Sequence, residues 1–180
     1  MADVEAVLPV KYFVAVLFHD KKFLEKGLGL LKGKWGHFDV MGADHEFDVT
    51  DYYEPEMGTP LFRRLVSFDE LLCPSVIVEM KLECNRIEDE LSVEGSRRVN
   101  LDAGYLDHNK VLLASAKEAG QKIYLDRGIY ADLAGRYRAG RYQPFEWSFP
   151  DFRDGRYDGE LLRMRGRYMD QIREYKAAGS

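Results

Sequence analysis

The sequence has few cysteines, few prolines and no long hydrophobic run, and each scarcity excludes a class of protein. Only Cys73 and Cys84 occur among 180 residues, too few for a disulfide scaffold and as expected of reduced thiols in a cytosol. Six prolines and 16 glycines do not make a collagen-like or low-complexity chain. No apolar run approaches the roughly 20 residues that a membrane helix needs, so we expect no membrane partner.

Positive charge is also in short supply. Lys and Arg number 26 against 31 Asp and Glu, and the resulting net charge of -5 predicts no nucleic-acid partner. The first five residues, Met-Ala-Asp-Val-Glu, are acidic where a secretory signal is basic, which predicts a cytoplasmic protein. With 46% hydrophobic and 32% charged residues, the chain is typical of a single globular domain over residues 1–180.

The first strand has the clearest signal in the N-terminal half. Val10–Phe18 is an almost unbroken apolar run, which predicts a strand buried on both faces. We expect it to be central and to pair antiparallel with the strand predicted over Leu61–Val66. Between them lie a predicted helix over Lys21–Lys34, a strand over Val40–Tyr53 and a turn at Glu54–Gly58.

The middle of the chain predicts a second helix and a fourth strand. Ser67–Glu70 has the form of a capping box, which favours a short helical segment before Pro74. Apolar residues recur at three- and four-residue steps in Pro74–Leu91, and Arg97–Leu106 alternates between polar and apolar residues. The order strand, helix, strand, strand, helix, strand predicts an α+β fold with a ferredoxin-like split βαβ core, an antiparallel sheet with helices on one face.

The C-terminal part predicts additions to that core. Ile123–Leu125 and Ile129–Ala131 flank a turn sequence and favour a hairpin, whereas Lys110–Lys117 fits a strand or a helix. Apolar residues on one side of Tyr157–Tyr175 predict a closing helix. The core is therefore expected to be extended by a C-terminal hairpin and helix.

Motifs for several chemistries are incomplete. Gly29–Lys34 suggests a phosphate loop, but only three residues separate its glycines and Trp35 stands where Mg²⁺ needs Ser or Thr. The four histidines lack the spacing of a zinc helix, and no Gly-x-Ser-x-Gly elbow occurs. Carboxylates between Asp44 and Glu56 offer oxygens for a divalent cation, although a solvated strand face explains them more simply.

Polar residues on the second helix and the following strand form the best candidate site. Helical spacing puts Lys81, Asn85 and Glu88 on one flank of the Pro74–Leu91 helix, where they pair at a boundary or line a cleft. Asn100 and Asp102 project from one face of the next strand, and alternation places Arg98 on the same face. Gly104 in this strand has no side chain, so another chain or a ligand can approach the backbone there.

The segment before the predicted closing helix is unusually rich in aromatic residues. Pro144–Arg153 contains four aromatic residues within a stretch otherwise typical of a loop. Such a segment either fills one end of the core or forms an aromatic wall for a ligand. We expect Trp147 to fill the core.

Together these segments resemble the bacterial and archaeal family DUF4416, over essentially the whole chain. Ala103 stands where the family pattern has Pro, and Phe149 and Phe152 stand where it has Tyr. The resemblance implies a single-domain protein and carries no established activity. The matching stretches are Asp51-Tyr52-Tyr53, Glu56-Met57-Gly58, Ser67-Phe68, Lys81 with Asn85-Arg86-Ile87-Glu88, Val99-Asn100-Leu101-Asp102, Gly104-Tyr105-Leu106, Ile123-Tyr124-Leu125, Gly128-Ile129-Tyr130-Ala131, and Trp147 with Pro150-Asp151 and Arg153.

These features predict an enzyme or binding protein for a phosphorylated or nucleotide-like small molecule, with a polar cleft between the second helix and the Asn100 strand. Lys81 would supply positive charge, and Glu88 and Asp102 would act as acid and base or bind Mg²⁺, the candidate cofactor. The alternative is a non-catalytic interaction module or homodimer that uses a sheet face or edge. The candidate ligand-binding residues are Asn85, Arg98, Asn100 and Tyr105.

Overall fold

The computed structural model describes residues 6–178, which form an α+β fold with one antiparallel sheet and five helices. The α+β class predicted from the sequence is confirmed. The strands are β1 (Val10–Phe18), β2 (Phe38–Met41), β3 (His45–Glu46), β4 (Phe62–Leu72), β5 (Val99–Leu106), β6 (Lys110–Ser115), β7 (Ile123–Asp126), β8 (Ile129–Arg138) and β9 (Arg141–Pro144). The helices are α1 (Lys21–Trp35), α2 (Glu54–Met57), α3 (Ile77–Glu90), α4 (Pro150–Arg153) and α5 (Asp158–Ala178).

The strands belong to one open sheet. Its order is β2-β4-β1-β5-β6-β8-β7, while β3 pairs with β4 and β9 pairs with β8. In the centre, Val14 of β1 lies opposite Val66 of β4 and Ala103 of β5. This register confirms that the apolar run of β1 pairs antiparallel with the strand predicted over Leu61–Val66. The ferredoxin-like topology stays a prediction.

Both faces of β1 are buried because a different helical layer covers each. Tyr12, Val14 and Val16 pack in the cluster that contains the apolar residues of α1 and α3. Phe13 and Ala15 pack in the opposite cluster, with the apolar residues of α5. The two early helices therefore share one face, and the C-terminal helix covers the other. None of the helices in residues 6–178 combines the length and apolar character that crossing a bilayer requires.

The helix start predicted at Ser67–Glu70 is wrong, because these residues continue β4. Ser67 lies opposite Phe13 of β1, and Phe68 lies opposite Phe38 of β2. Backbone pairing on both sides outweighs the local capping signal, as tertiary context commonly does. The helix predicted from Pro74 begins there as a 3₁₀ turn over Pro74–Val76, and its α-helical part, α3, begins at Ile77.

The strand predicted over Val40–Tyr53 is interrupted. Within this stretch β2 and β3 pair with β4, and residues 47–53 continue as irregular chain into α2, which replaces the turn predicted at Glu54–Gly58. Phe47 is buried beside Met57 in a small apolar cluster. The segment therefore leaves the sheet and packs at its side.

The C-terminal additions are largely as predicted. Lys110–Lys117 contains β6, and the hairpin predicted from Ile123–Leu125 and Ile129–Ala131 is the β7–β8 pair. The predicted closing helix is α5, and the aromatic segment contains α4. The acidic residues 1–5, on which the cytoplasmic expectation partly rests, lie outside the described residues.

β5 and β6 are paired at one end only. Gly104, Tyr105 and Leu106 pair with β6, whereas Val99–Ala103 has β1 as its one strand neighbour within residues 6–178. A Cβ at position 104 would lie 2.5 Å from the Leu112 carbonyl oxygen, so glycine is what allows β6 to approach. Beyond this glycine the two strands diverge and leave room for side chains of α3.

Candidate functional site

A cavity of about 530 Å³ lies where β5 and β6 diverge. Side chains of α3 and β5 line it together with β4, β6, β8, the 47–53 segment and the start of α4. A concave pocket of this size with converging polar groups is typical of a small-molecule site. Its charged and amide lining residues are Arg63, Lys81, Asn85, Glu88, Arg97, Asn100, Asp102, Lys117, Lys122, Asp132 and Asp151.

Lys81 and Glu88 fasten α3 to the open edge of β5. Lys81 Nζ donates a hydrogen bond to the Leu101 carbonyl oxygen at 2.9 Å, and the Leu101 amide donates to Glu88 Oε1 at 2.6 Å. The two side chains thus replace the strand that β5 lacks at this point. Nζ and Oε1 lie 4.0 Å apart, and the side chains are only 8% and 9% exposed.

The carboxyl group of Glu88 is placed to exchange protons near neutral pH. Burial raises its pKa to about 7, and the nearby Asp102 carboxylate acts in the same direction. Lys81, the Leu101 amide and Arg97 act in the opposite direction and favour the charged form. A carboxyl group with a pKa close to ambient pH suits general acid–base chemistry.

A hydrogen-bonded chain of side chains runs along the cavity. Arg97 Nη1 donates to Asn100 Oδ1 at 3.0 Å, and Asn100 Nδ2 donates to Asp102 Oδ2 at 3.1 Å. Arg63 donates to the same Asp102 oxygen at 3.2 Å and to Asp151 Oδ2 at 2.5 Å. Because Asn100, Asp102 and Arg63 each bond to two neighbours, their orientations are fixed before any ligand binds.

Both ends of this chain are anchored in other elements. Glu56 of α2 accepts hydrogen bonds from the Arg97 guanidinium, which hold the pKa of the Glu56 carboxyl below its usual value. At the other end, the Tyr157 hydroxyl donates to Asp151 Oδ2 at 2.8 Å. The Arg63 guanidinium packs over the Phe47 ring, 4.5 Å from its centre.

Several polar atoms along the cavity keep unused hydrogen-bonding capacity. Asp151 Oδ1 and Arg63 Nε are buried and have no partner among the described residues. Asp102 Oδ1 also accepts no hydrogen bond within residues 6–178, and the Lys81 ammonium donates one. Buried polar atoms without partners are rare in proteins, so this wall has the character of a binding surface.

Aromatic and basic side chains form the more exposed part of the lining. Tyr52 is 60% exposed and Phe149 is 45% exposed. The Lys117 ammonium lies 3.4 Å from the Tyr52 hydroxyl and reaches across from the end of β6. Lys122 is less exposed than these side chains: it donates to Ser115 Oγ at 2.9 Å and lies 3.8 Å from the Asp132 carboxylate.

The lining contains five of the seven candidate residues from the sequence. One guanidinium nitrogen of Arg97 lies 3.8 Å from Glu88 and 3.0 Å from Asn100, so the α3 and β5 groups meet at this side chain. The five are Lys81, Asn85, Glu88, Asn100 and Asp102.

Arg98 and Tyr105 lie outside the cavity lining. β5 begins at Val99, so Arg98 sits at a bend where strand alternation does not yet apply. Tyr105 alternates with Asp102 and therefore faces the other side of the sheet, where its ring packs on Tyr12 at 5.7 Å.

Sequence reasoning missed Arg63, Arg97, Asp132 and Asp151. All four lie outside α3 and β5, in other elements or in a loop, and the folded chain brings them to the cavity. Arg63 carried a local signal, because a charged residue in an otherwise apolar strand needs a buried partner. Asp151 belonged to a stretch that matched the family resemblance, which was a second signal.

The acidic stretch between Asp44 and Glu56 does not gather into a cation site. Three of its six carboxylates pair with separate arginines, and no three His, Cys, Asp or Glu side chains of the described chain come together as a metal ion needs. The favoured interpretation, a polar surface, agrees with this placement. The ion pairs are Asp44 with Arg64, Asp48 with Arg156, and Glu56 with Arg97.

The expectation that Trp147 fills the core is wrong. Its ring is 41% exposed, stacks on Phe145 at 4.8 Å and anchors through a hydrogen bond from Nε1 to the Leu133 carbonyl oxygen. Phe152 of the same segment is buried and fills the core under α5 instead.

Comparison with known proteins gives one match. The family model described as "Domain of unknown function (DUF4416)" matches residues 8–168. No curated protein and no solved structure matches the chain.

Proposed function

The chain belongs to the DUF4416 family, and we propose that its cavity binds a small phosphorylated or nucleotide-like molecule, as an enzyme or as a binding protein. The observation that carries this proposal is the charge of the lining. Five cationic side chains face four carboxyl groups, although the whole chain has a net charge of -5. Four of the five lie within 4.0 Å of a carboxylate group, and Lys117 has no such partner among the described residues, so Lys117 contributes most to the attraction of an anionic ligand. The cations are Arg63, Lys81, Arg97, Lys117 and Lys122.

The proposed roles follow from the contacts of each side chain. Lys81 has N–H groups free for a phosphate oxygen, and Glu88 beside it exchanges a proton with the reacting group. Asp102 serves as a second acid–base group, Asn100 orients the ligand, and Asn85 contributes an amide to the same wall. These are the group types that phosphoryl chemistry uses.

Mg²⁺, in this proposal, binds together with the phosphorylated ligand. The described residues contain no cluster of three acidic or histidine side chains that would hold the ion without help. Mg²⁺ commonly binds through one or two carboxylates and substrate phosphates. Asp102 and Glu88 are the carboxyl groups proposed for that position.

Thermal unfolding with a panel of sugar phosphates and nucleotides, each with and without Mg²⁺, tests the proposal. A ligand at 100 times its dissociation constant adds about 2.7 kcal/mol to the free energy of unfolding and raises the midpoint. Lys81→Met should abolish the shift, whereas Lys32→Gln, on the exposed surface of α1, should keep it. An unchanged midpoint with every phosphorylated compound would contradict the proposal.

The alternative function is an interaction module or homodimer, and the edge of the sheet favours it. β7 is the terminal strand, with Ile123 69% exposed and Tyr124 58% exposed. Exposed apolar edge strands pair readily with other chains. Light scattering of the wild type and Ile123→Lys tests this candidate: a dimer that the substitution dissociates supports it, and a wild-type monomer at every concentration contradicts it.

We further propose that β1, α1, β2 with β3, β4, α3 and β5 form a ferredoxin-like core, in one domain over residues 1–180 of a cytoplasmic protein. The neighbours of β1 in the sheet and the shared face of α1 and α3 support the core. The free thiols of Cys73 and Cys84 support the reducing compartment. Coincident unfolding of near-UV and far-UV dichroism would support one domain, and two separate transitions would contradict it.

A further inference from the structure

We infer that the ligand carries a polyhydroxylated group, such as a sugar, whose hydroxyls bind at the wall formed by Asn100, Asp102 and Asp151. This inference rests on the proposed function and specifies its ligand as a sugar phosphate.

The wall offers hydrogen-bond acceptors that a phosphate cannot use. Asp102 Oδ1 and Asp151 Oδ1 accept no hydrogen bond from the described residues, and the Asp151 side chain is 1% exposed. A phosphate group presents acceptor oxygens and negative charge, so without a bridging Mg²⁺ it is repelled here. The part of the ligand that lies against these two oxygens must donate hydrogen bonds.

Hydroxyl donors fit this wall better than a ligand ammonium. Arg63 already donates to the second oxygen of both carboxylates, at 3.2 Å from Asp102 and 2.5 Å from Asp151. An ammonium donates hydrogen bonds only, so it would leave the remaining N–H of Asn100 without an acceptor. A hydroxyl donates to the carboxylate oxygens and accepts from this N–H, so the wall favours a hydroxyl.

Donors and acceptors alternate along the wall, as a polyol requires. Each sugar hydroxyl both donates and accepts. Asn100 keeps one N–H and one oxygen lone pair beyond its bonds to Arg97 and Asp102. The exposed ring of Tyr52 adds an apolar surface on which the C–H face of a sugar can pack.

The phosphate then belongs at the more exposed side of the lining. Lys117 and Lys122 lie on the chain that follows β6. The Lys117 ammonium is exposed apart from its contact with Tyr52 and has no carboxylate partner among the described residues, whereas Lys122 lies 3.8 Å from Asp132. A sugar phosphate therefore places hydroxyls against the carboxylates and its dianion near these lysines.

Titration calorimetry of the full chain with ribose 5-phosphate, ribose and inorganic phosphate tests the inference. Ribose 5-phosphate should bind at least about tenfold more tightly than inorganic phosphate, the gain expected from one hydrogen bond to a charged group. Asp102→Asn should weaken ribose 5-phosphate about tenfold and leave phosphate within about twofold. Asp89→Asn, an exposed carboxylate on α3, is the matched control and should change neither affinity.

The outcomes separate the inference from the proposed function. Equal affinities of the wild type for phosphate and ribose 5-phosphate overturn the inference and leave the proposed function standing. The inference is also overturned if Asp102→Asn, with the circular dichroism of the wild type, loses affinity for phosphate and ribose 5-phosphate equally. Binding of ribose without either phosphate supports the hydroxyl wall and overturns the phosphate proposal. If none of the three probes binds, the inference and the proposed function are both overturned. The comparison of wild-type affinities for phosphate and ribose 5-phosphate tests the inference even if Asp102→Asn fails to fold.

Discussion

Lys81 and Glu88 complete the backbone hydrogen bonding of a single residue, Leu101, from two turns of the same helix. The ammonium binds the carbonyl oxygen and the carboxyl binds the amide, while the two charged groups stay 4.0 Å apart. Strand pairing would have used the same backbone atoms. Replacing a strand by two ionisable side chains leaves the cavity lined with groups that can bind and transfer protons.

The first prediction concerns the titration of Glu88. Its folded pKa of about 7 exceeds the ordinary value of 4.5 because of burial, so the folded state binds more protons between these values. The free energy of unfolding must therefore fall as pH rises through this window, by about 3 kcal/mol. The side chain in Glu88→Gln is neutral at every pH, so its free energy of unfolding should not fall for this reason. Urea unfolding at about pH 5 and about pH 7.5 measures this difference. As the pH rises, the free energy of unfolding of Glu88→Gln should increase relative to that of the wild type, whereas that of Glu90→Gln should not.

A second prediction concerns the buried ion pairs of Arg63. Arg63→Met leaves the Asp151 carboxylate buried without its cation and should cost about 3 to 5 kcal/mol of unfolding free energy. Arg173→Met removes an exposed guanidinium 3.5 Å from Asp170 and should cost no more than about 1 kcal/mol. Chemical denaturation of both variants measures the difference, and equal costs would contradict the assigned network.

The aromatic segment supplies a third prediction. Trp147→Ala removes a ring that is 41% exposed and should cost about 1 kcal/mol, whereas Phe152→Ala opens a cavity under α5 and should cost about 3 to 5 kcal/mol. Denaturation midpoints of the two variants decide the order. A larger loss for Trp147→Ala would show that the indole, and not the Phe152 ring, fills this end of the core.

The fourth prediction tests the close approach of β5 and β6. Gly104→Ala places a Cβ 2.5 Å from the Leu112 carbonyl oxygen, so the strands must separate and the protein should lose several kcal/mol. Gly29→Ala, in α1 with no atom within 4 Å of its Cβ, should gain about 0.5 to 1 kcal/mol. Melting temperatures that move in the same direction for both variants would contradict this geometry.

Much of the fold could be predicted because it is encoded in short-range patterns. The almost unbroken apolar run of β1 is rich in Val, Phe and Tyr and therefore favours a buried strand, and the helical period of α3 favours a helix. The segment over Ser67–Glu70 does not, since its local helix-start signal competes with backbone partners that are distant in sequence. The irregular chain after β3 accompanies the packing of Phe47 in an apolar cluster outside the sheet, which alternation alone cannot show.

The candidate site was predictable where its residues share one element. Helical spacing joins Lys81 to Glu88, and strand alternation joins Asn100 to Asp102. The same alternation argues against Tyr105, whose parity places it on the opposite face. Partners such as Asp151 come from elements with no fixed spacing to β5, so only the folded chain reveals them.

The most direct test of the central claim is a map of backbone amide chemical shifts during titration with ribose 5-phosphate or ADP. A ligand in the cavity should move the amide signals of Leu101, Ser115 and Lys117, which lie in or beside its lining. Amides at the exposed end of α5, such as Arg173, should stay in place and serve as the internal control. Shifts concentrated at the cavity are the predicted result. Unmoved cavity amides with both compounds, or changes confined to surface arginines, would contradict the account.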